Sequence, residues 1–188
     1  ASDVYKRQPV ASGRVSPTNA LIFGIMLNII SFVVLYSMVN YLSAVITLSG
    51  TLFYALIYTM LLKRTTPQNI VIGGAAGSVP PVVGWVAVTG SIDLPAIFLF
   101  AIIFFWTPPH FWALALMIKD DYKAANIPML PVVVGIEKTK RSIFLYTLIL
   151  VVLSFVFFAT QALGWFYFLS VSVLGGVFVY YSVKLIIQ

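Results

Sequence analysis

Six apolar stretches dominate this 188-residue sequence, and each has the length needed to cross a membrane as a helix. An α-helix needs about 20 residues to span a hydrocarbon core of roughly 30 Å. Only 9% of the residues are charged, against about 25% in soluble domains. A closed β-barrel would show short alternating segments instead of continuous apolar runs. We therefore predict an all-α, polytopic membrane helical bundle with spans at residues 17–39, 44–62, 69–88, 94–118, 142–160 and 165–187.

The basic residues occupy alternate connections between these spans. All eleven Lys and Arg lie before the first span, between the second and third, between the fourth and fifth, or at the end of the sixth. The turns at residues 40–43, 89–93 and 161–164 contain none. The positive-inside rule predicts that the basic loops are cytoplasmic. The net charge of +6 is thus explained by topology, and we do not expect a nucleic-acid partner.

The fourth span carries the only histidine, His110, directly after Pro108 and Pro109. An ionisable residue inside an apolar span indicates a functional site, because its burial is costly. We expect the prolines to kink the helix before His110 and to open a pocket toward Asp121. If the helix persists, His110 and Asp121 share a broad stripe with Trp106 and lie about 16 Å apart. The alternative is that His110 hydrogen-bonds a neighbouring helix.

A charged segment, Lys119-Asp120-Asp121-Tyr122-Lys123, follows this span. Mg²⁺ typically takes one or two carboxylates together with substrate phosphates, and the lysines would supply positive charge to the same phosphates. Adjacent helical residues point in different directions, so the two carboxylates need not share a ligand. The alternative is a solvated loop whose lysines only set the topology. Spacing alone leaves both interpretations open.

Two further features suggest irregular structure. Residues 126–135 form an apolar loop that either re-enters the bilayer, covers a hydrophobic ligand or packs on its own helices. In the third span, Gly73 and Gly77 have the GxxxG spacing that favours close helix approach. Pro80 and Pro81 predict a second broken helix there, and two broken helices facing one cavity are typical of a site at the membrane midplane.

The segment FFWTPPHFWALALMIKDDYKAANIPMLPVVVG, residues 104–135, resembles the protoheme IX farnesyltransferase (heme O synthase) family of the intramembrane aromatic prenyltransferase superfamily. GGAAGSVPPVVGW at residues 73–85 and SGRVSP at residues 12–17 resemble the same family. The resemblance implies a nine-helix protein of which this chain supplies the third to eighth helices. Residues 1–188 would then be one partial transmembrane prenyltransferase domain without the first Asp-rich motif, and would be inactive alone. Residues 1–8 do not match and are expected to be foreign or disordered.

The reaction that the resemblance implies is transfer of a farnesyl group from farnesyl diphosphate to a vinyl group of protoheme IX (heme b), giving heme O. It implies Mg²⁺ as cofactor, held by Asp120 and Asp121. Matched position by position, the catalytic residues are Asp120, Asp121, Tyr122 and Lys123. The residues expected to bind substrate are Trp106, His110, Lys138, Lys140 and Arg141.

Three alternatives to this function stay open. A prenyltransferase for a quinone-type aromatic acceptor would have the same fold, and a transporter or binding protein could use the same broken helices. A structural membrane subunit is the third alternative, although it would need neither His110 nor the Asp pair. For the heme reaction, the expected partners are farnesyl diphosphate, heme b and the lipid bilayer. A heme A synthase or an oxidase-assembly factor is a further expected partner, and the expected location is the bacterial inner membrane.

Overall fold

The structure, a computed structural model, describes residues 9–63 and 65–187 of the chain. Within these residues it is all-helical, without a β-strand. Six helical segments have the length and hydropathy of membrane spans: Pro17–Met38, Tyr41–Leu62, Asn69–Thr89, Leu94–Met117, Ile136–Ala159 and Trp165–Ile187. The predicted all-α membrane bundle with six spans is therefore confirmed. The expectation for residues 1–8 concerns a segment outside the described residues.

Two of the six spans are composite. The second joins an α-helix to a segment of π-helix, and the third is divided in two just before Pro80. In chain order the helices are α1 (Pro17–Met38), α2 (Tyr41–Leu52), the π segment (Phe53–Leu62), α3 (Asn69–Gly77), α4 (Val79–Thr89), α5 (Leu94–Met117), α6 (Lys119–Ala124), α7 (Leu130–Val133), α8 (Ile136–Ala159) and α9 (Trp165–Ile187).

Side-chain caps and one glycine define the tight connections. Ser16 and Asn40 cap α1 and α2 by accepting hydrogen bonds from the backbone N–H groups of Asn19 and Ser43, at 3.1 and 2.8 Å. The Asn40 amide also donates to the Val86 carbonyl at 2.9 Å, which ties the start of α2 to α4. Gly90 ends α4 with φ +75°, a left-handed conformation that favours glycine. The turns between spans are thus encoded locally.

The spans pack as an open row in chain order. α1 packs on α2, α2 on α4, α3 and α4 on α5, α5 on α8, and α8 on α9. In the part of the chain that the structure describes, the first span contacts only the second and the sixth only the fifth. α1 accordingly has no buried residue. Its apolar side chains suit contact with lipid or with further helices.

Two apolar clusters lie at opposite ends of the bundle along the direction of its spans. The basic-end cluster joins the start of the third span, the end of the fourth, the loop after it and the start of the fifth: Ile70, Trp112, Ala115, Met129, Leu130 and Ile143. The opposite cluster joins the end of the third span to the start of the fourth, through Val82, Val86 and Ala96. The basic segments after α5 and before α8 therefore share one end of the bundle. Which compartment that end faces stays a prediction.

The fifth span begins earlier than predicted. α8 starts at Ile136 instead of residue 142, so Lys138, Lys140 and Arg141 lie on its first turns and not in a loop. The intervening connection contains α6 and α7. Hydropathy did not predict the first turns of α8 because these turns are charged. Hydropathy detects only the part of a helix that lies inside the membrane.

The fourth span ends before the acidic pair. α5 runs from Leu94 to Met117 and continues as a helix through Pro108 and Pro109, and the backbone leaves the helical region at Ile118, with φ −119° and ψ 32°. Asp121 therefore lies on a separate helix from His110, and the distance expected along one continuous helix does not apply. The break expected in the third span is present between α3 and α4, and the kink expected at Pro108 and Pro109 stays a prediction.

The expected close approach at Gly73 and Gly77 is only half right. Space beside Gly73 is filled by the Tyr58 ring, whereas a Cβ at Gly77 would meet no atom of the described residues within 4 Å. The second close contact is instead at Gly74, where a Cβ would lie 3.2 Å from Cβ of Thr107. The helix-packing face of α3 is thus formed by adjacent glycines and not by a GxxxG pair.

Candidate active site at the basic end

Trp106 and His110 form a stacked pair on the surface of α5. Their ring centroids are 4.5 Å apart and their planes differ by 15°, because residues four apart lie above one another on a helix. Both side chains are exposed, and the Phe111 ring meets the imidazole edge-on at 5.3 Å. No hydrogen bond joins His110 to a neighbouring helix within residues 9–63 and 65–187, so nothing in the described structure supports a packing role. The pair presents a flat aromatic surface beside an imidazole.

The residues between this pair face the opposite way. Thr107, Pro108 and Pro109 are buried, and the Thr107 hydroxyl donates to the Ile103 carbonyl at 2.7 Å. Proline lacks an N–H group, so the prolines cannot complete the helix bonds to the carbonyls of the residues four positions earlier. Thr107 lies against Gly74 of α3, so the buried side of α5 is turned into the bundle and Trp106 and His110 occupy its outer face.

A cavity of about 370 Å³ adjoins the Trp106 side chain, between α5, α8 and α9. Its lining is almost entirely apolar, and its polar groups are already engaged. Ser154 donates to the Leu150 carbonyl at 2.8 Å, and the Tyr167 hydroxyl donates to the Ser154 carbonyl at 3.1 Å. The cavity therefore suits an apolar group more than a charged one.

The acidic pair lies on α6, a short helix at the basic end. Asp120 and Asp121 occupy its first turn and are exposed, which is the favourable place for carboxylates on a helix. No group of three His, Asp or Glu side chains able to hold a metal occurs among the described residues. Two carboxylates are nevertheless enough for Mg²⁺ when substrate phosphates supply further ligands, because Mg²⁺ is usually bound by only one or two carboxylates of the protein.

Tyr122 follows the acidic pair on α6 and packs against the basic-end cluster. A second tyrosine at this end, Tyr58 of the π segment, lies against Gly73 of α3. Tyr58 also stacks on Tyr54, with ring centroids 5.2 Å apart. Sequence reasoning did not select Tyr58; the only available signal was a tyrosine near the end of a span, shortly before the basic residue Lys63.

The cationic candidates divide into engaged and exposed groups. Lys140 Nζ lies 3.0 Å from Glu137 Oε1, and the lysine side chain is only 12% exposed. Lys123, Lys138 and Arg141 are exposed at the same end of the bundle. α7 contacts both α6 and α8 and so links their positions. The roles of these four cationic side chains in catalysis and substrate binding stay predictions.

The apolar loop after α6 packs on its own helices. Met129, Leu130 and Pro131 are buried, the first two in the cluster with Trp112 and Ile143. Of the three alternatives for residues 126–135, self-packing is therefore what the structure contains. Tyr122 packs against the cluster to which Met129 and Leu130 belong.

Comparison with known proteins agrees with this architecture. The model of the UbiA prenyltransferase family matches residues 3–188. The chain is 57% identical over 176 residues to a protoheme IX farnesyltransferase of Gloeothece citriformis, covering 93% of this chain and 54% of that protein. It is 52% identical over 170 residues to that of Gloeobacter violaceus, covering 90% and 56%.

A third relative, the protoheme IX farnesyltransferase of a Picosynechococcus species, is 56% identical over 175 residues, covering 93% of this chain and 55% of the relative. The chain thus spans about half the length of the curated relatives it matches. No solved structure matches it. With a family model covering nearly its whole length, the chain belongs to the UbiA prenyltransferase family.

Proposed function

We propose that the protein carrying this chain transfers a farnesyl group from farnesyl diphosphate to a vinyl group of heme b, giving heme O. The observation that carries the proposal is identity of 57%, 52% and 56% to three relatives named protoheme IX farnesyltransferase. Identity at this level extends over at least 90% of the chain in each case, including α5 and α6. The proposed acceptor is therefore heme, in preference to a quinone-type aromatic compound.

The proposed reaction joins two substrates and consumes one water molecule. The allylic C–O bond of farnesyl diphosphate breaks, and diphosphate leaves with the bonding electron pair. The vinyl group donates its π electrons to the allylic carbon, which forms the new C–C bond. Water adds to the remaining vinyl carbon and loses a proton, leaving a hydroxyethylfarnesyl group. The products are heme O and diphosphate.

The basic end is the proposed diphosphate site. Asp120 and Asp121 would hold Mg²⁺, which when bound neutralises negative charge on the departing diphosphate. The Tyr122 hydroxyl would donate a hydrogen bond to a phosphate oxygen, and Lys123 would contribute positive charge. Exposure of both carboxylates and of Lys123 supports this assignment, because each can reach a ligand without rearrangement of the core.

The outer face of α5 is the proposed heme site. The stacked Trp106–His110 pair offers an aromatic surface to a porphyrin and an imidazole nitrogen to its iron. Lys138 and Arg141 are the exposed cations proposed to meet propionates, whereas Lys140 is already paired with Glu137. Support for the heme site thus comes from exposure and stacking on the fourth span.

The protein is integral to a membrane, and we propose the bacterial inner membrane with the basic end in the cytoplasm. The support is the clustering of basic residues at one end of the bundle, in accordance with the positive-inside rule. We further propose that a heme A synthase or an oxidase-assembly factor receives the product. Copurification from native membranes tests that partner.

The test of function uses the full-length protein in detergent or proteoliposomes with farnesyl diphosphate, Mg²⁺ and heme b. We expect farnesylated heme of the mass of heme O by chromatography and mass spectrometry, and a heme-dependent Soret band. Parallel incubation with 4-hydroxybenzoate tests a quinone-type acceptor. Prenylation of the benzoate without any farnesylated heme would overturn the proposal.

A further inference from the structure

The apolar cavity beside Trp106 runs lengthwise along α9. Its lining on that helix extends from Tyr167 to Phe178, which corresponds to about 16 Å of helical rise. α9 begins at Trp165, so the cavity starts close to one end of the span, and it reaches Trp106 in the middle of α5. A bilayer has a hydrocarbon core of about 30 Å. The cavity therefore has the length and the depth of one leaflet.

The walls of this cavity suit hydrocarbon. Besides Ser154 and Tyr167, its one further hydroxyl is that of Ser170, which donates to the Phe166 carbonyl at 2.8 Å. Every hydroxyl hydrogen of the lining is thus already donated within the helices. The volume of about 370 Å³ lies within the range of about 300–1,000 Å³ that is usual for ligand sites. Empty walls would lose dispersion contacts, so we expect an apolar chain to fill the cavity.

The cavity is continuous with the apolar surface of α9. Leu174 belongs to its lining and is nevertheless 67% exposed within the described residues. At the start of the helix, Trp165 and Phe166 are 71% and 85% exposed. Aromatic residues in such positions are typical of the interface between the hydrocarbon and the head groups. A chain can therefore enter sideways from the lipid, with its polar end at the level of Trp165.

The charge at this end of the bundle indicates which lipids fit. The turns at residues 40–43, 89–93 and 161–164, which we call the non-basic end, contain no Lys or Arg, and Asp93 is their one charged residue. Recognition of anionic head groups by membrane proteins uses clusters of basic residues. The non-basic end of this chain has none, so a zwitterionic head group suits it better than an anionic one.

A farnesyl chain fits this cavity less well. The proposed diphosphate site lies on α6 at the basic end, and α5 extends eleven residues from Trp106 to Met117 before α6 begins. This distance is about 16 Å. A farnesyl chain anchored at α6 would use most of its length before it reached Trp106, and the cavity continues from there toward the non-basic end.

We propose that the cavity between α5, α8 and α9 is a lipid site that takes one acyl chain of a zwitterionic phospholipid. The phospholipid belongs to the leaflet at the non-basic end, and the end of its chain lies against Trp106. This site is separate from the proposed reaction and does not depend on it. Val171 lines the cavity, whereas Val173 does not and is 65% exposed. These two valines on one helix provide a variant and its matched control.

The first experiment maps the depth of the chain by photolabelling. The full-length protein is reconstituted in phosphatidylcholine vesicles that contain a phosphatidylcholine with a diazirine either at the end of one acyl chain or next to its carboxyl group. We expect the terminal diazirine to label residues beside Trp106 or Phe178, and the other diazirine to label residues beside Tyr167. The reverse order would place the lipid in the other leaflet. Either that order or no labelling of the lining would overturn the proposal.

The second experiment tests occupancy with the two valines. Val171→Phe places a ring in the cavity and should abolish labelling beside Trp106 by the terminal diazirine, whereas Val173→Phe should preserve it. Equal labelling in both variants would contradict the proposal. The orientation measured in the parent protein needs no variant, so it tests the site even if Val171→Phe does not fold.

Competition identifies the occupant. An excess of farnesyl diphosphate should leave the labelling of the parent protein unchanged, because its chain is not expected in this cavity. Loss of labelling under these conditions would assign the cavity to the prenyl chain and overturn the proposal. A phosphatidylglycerol with the same diazirine chain should label no better than the phosphatidylcholine. Labelling by the anionic lipid alone would likewise contradict a zwitterionic site.

Discussion

The indole of Trp106 lies parallel to the imidazole of His110, with centroids 4.5 Å apart and planes within 15°. Aromatic pairs in such contact contribute about 0.5–1.5 kcal/mol beyond the area they bury. The contact restricts the rotation of a histidine that is otherwise exposed on α5. The indole therefore orients the only imidazole in the chain.

Substitution of this pair should affect heme and not farnesyl diphosphate. In the full-length protein, His110→Ala should abolish the Soret shift on heme addition, because it removes the proposed iron ligand, while farnesyl diphosphate still binds. Trp106→Ala should weaken heme affinity by about two- to tenfold through loss of the stack, and Trp106→Phe should restore much of it. Unchanged heme affinity and activity in His110→Gln would show that His110 has no such role.

Removal of a carboxylate on α6 should impair farnesyl transfer and leave heme binding intact. Asp121→Asn removes a charge that would hold Mg²⁺, so turnover should fall by at least about tenfold, while heme uptake measured by the Soret band survives. Additional Mg²⁺ should restore only part of the rate. Asp93→Asn, at the far end of the bundle, is the control and should keep the rate. Loss of both ligands in Asp121→Asn would mean that the two sites are one.

Trp112 should be important for stability, in contrast to the neighbouring Trp106. It is 2% exposed within the basic-end cluster and packs edge-on against Tyr146. Truncation of a buried Trp to Ala typically costs about 3–5 kcal/mol, so Trp112→Ala should lower the unfolding temperature in detergent substantially. Trp112→Phe should cost far less, because it keeps an aromatic ring and removes an indole N–H that has no partner among the described residues. Equal losses in the two variants would contradict this explanation.

The topology can be tested directly because the chain contains no cysteine. Single cysteines at Lys63, Lys138 and Lys140 should react with an impermeant maleimide from one side of the membrane, and a cysteine at Asp93 from the other. Native cysteines elsewhere in the full-length protein would first be replaced. Reporter fusions after Gly90 and after Lys138 provide an independent check. Appearance of both reporters on the same side would refute the six-span arrangement.

The sequence by itself determined the number of spans and the end of the bundle at which the basic residues gather. Hydropathy could do this because the bilayer acts as a solvent that every span meets locally: about 20 apolar residues must satisfy their own backbone hydrogen bonds inside it. The same local reasoning identified His110 and Asp121 as exceptional. It did not detect the helical turn that carries Lys138, because that turn lies among charged residues at the start of α8.

Only the tertiary structure decided which residues meet. Gly73 and Gly77 look equivalent in the sequence, yet the Tyr58 ring lies against Gly73, while no described residue lies within 4 Å of a Cβ at Gly77. The contact of Tyr58 with Gly73 joins the π segment of the second span to α3 of the third. Such contacts depend on how helices rotate and stack against one another. Hydropathy cannot predict which face of a helix turns toward its neighbours, because nearly every face of these helices is apolar.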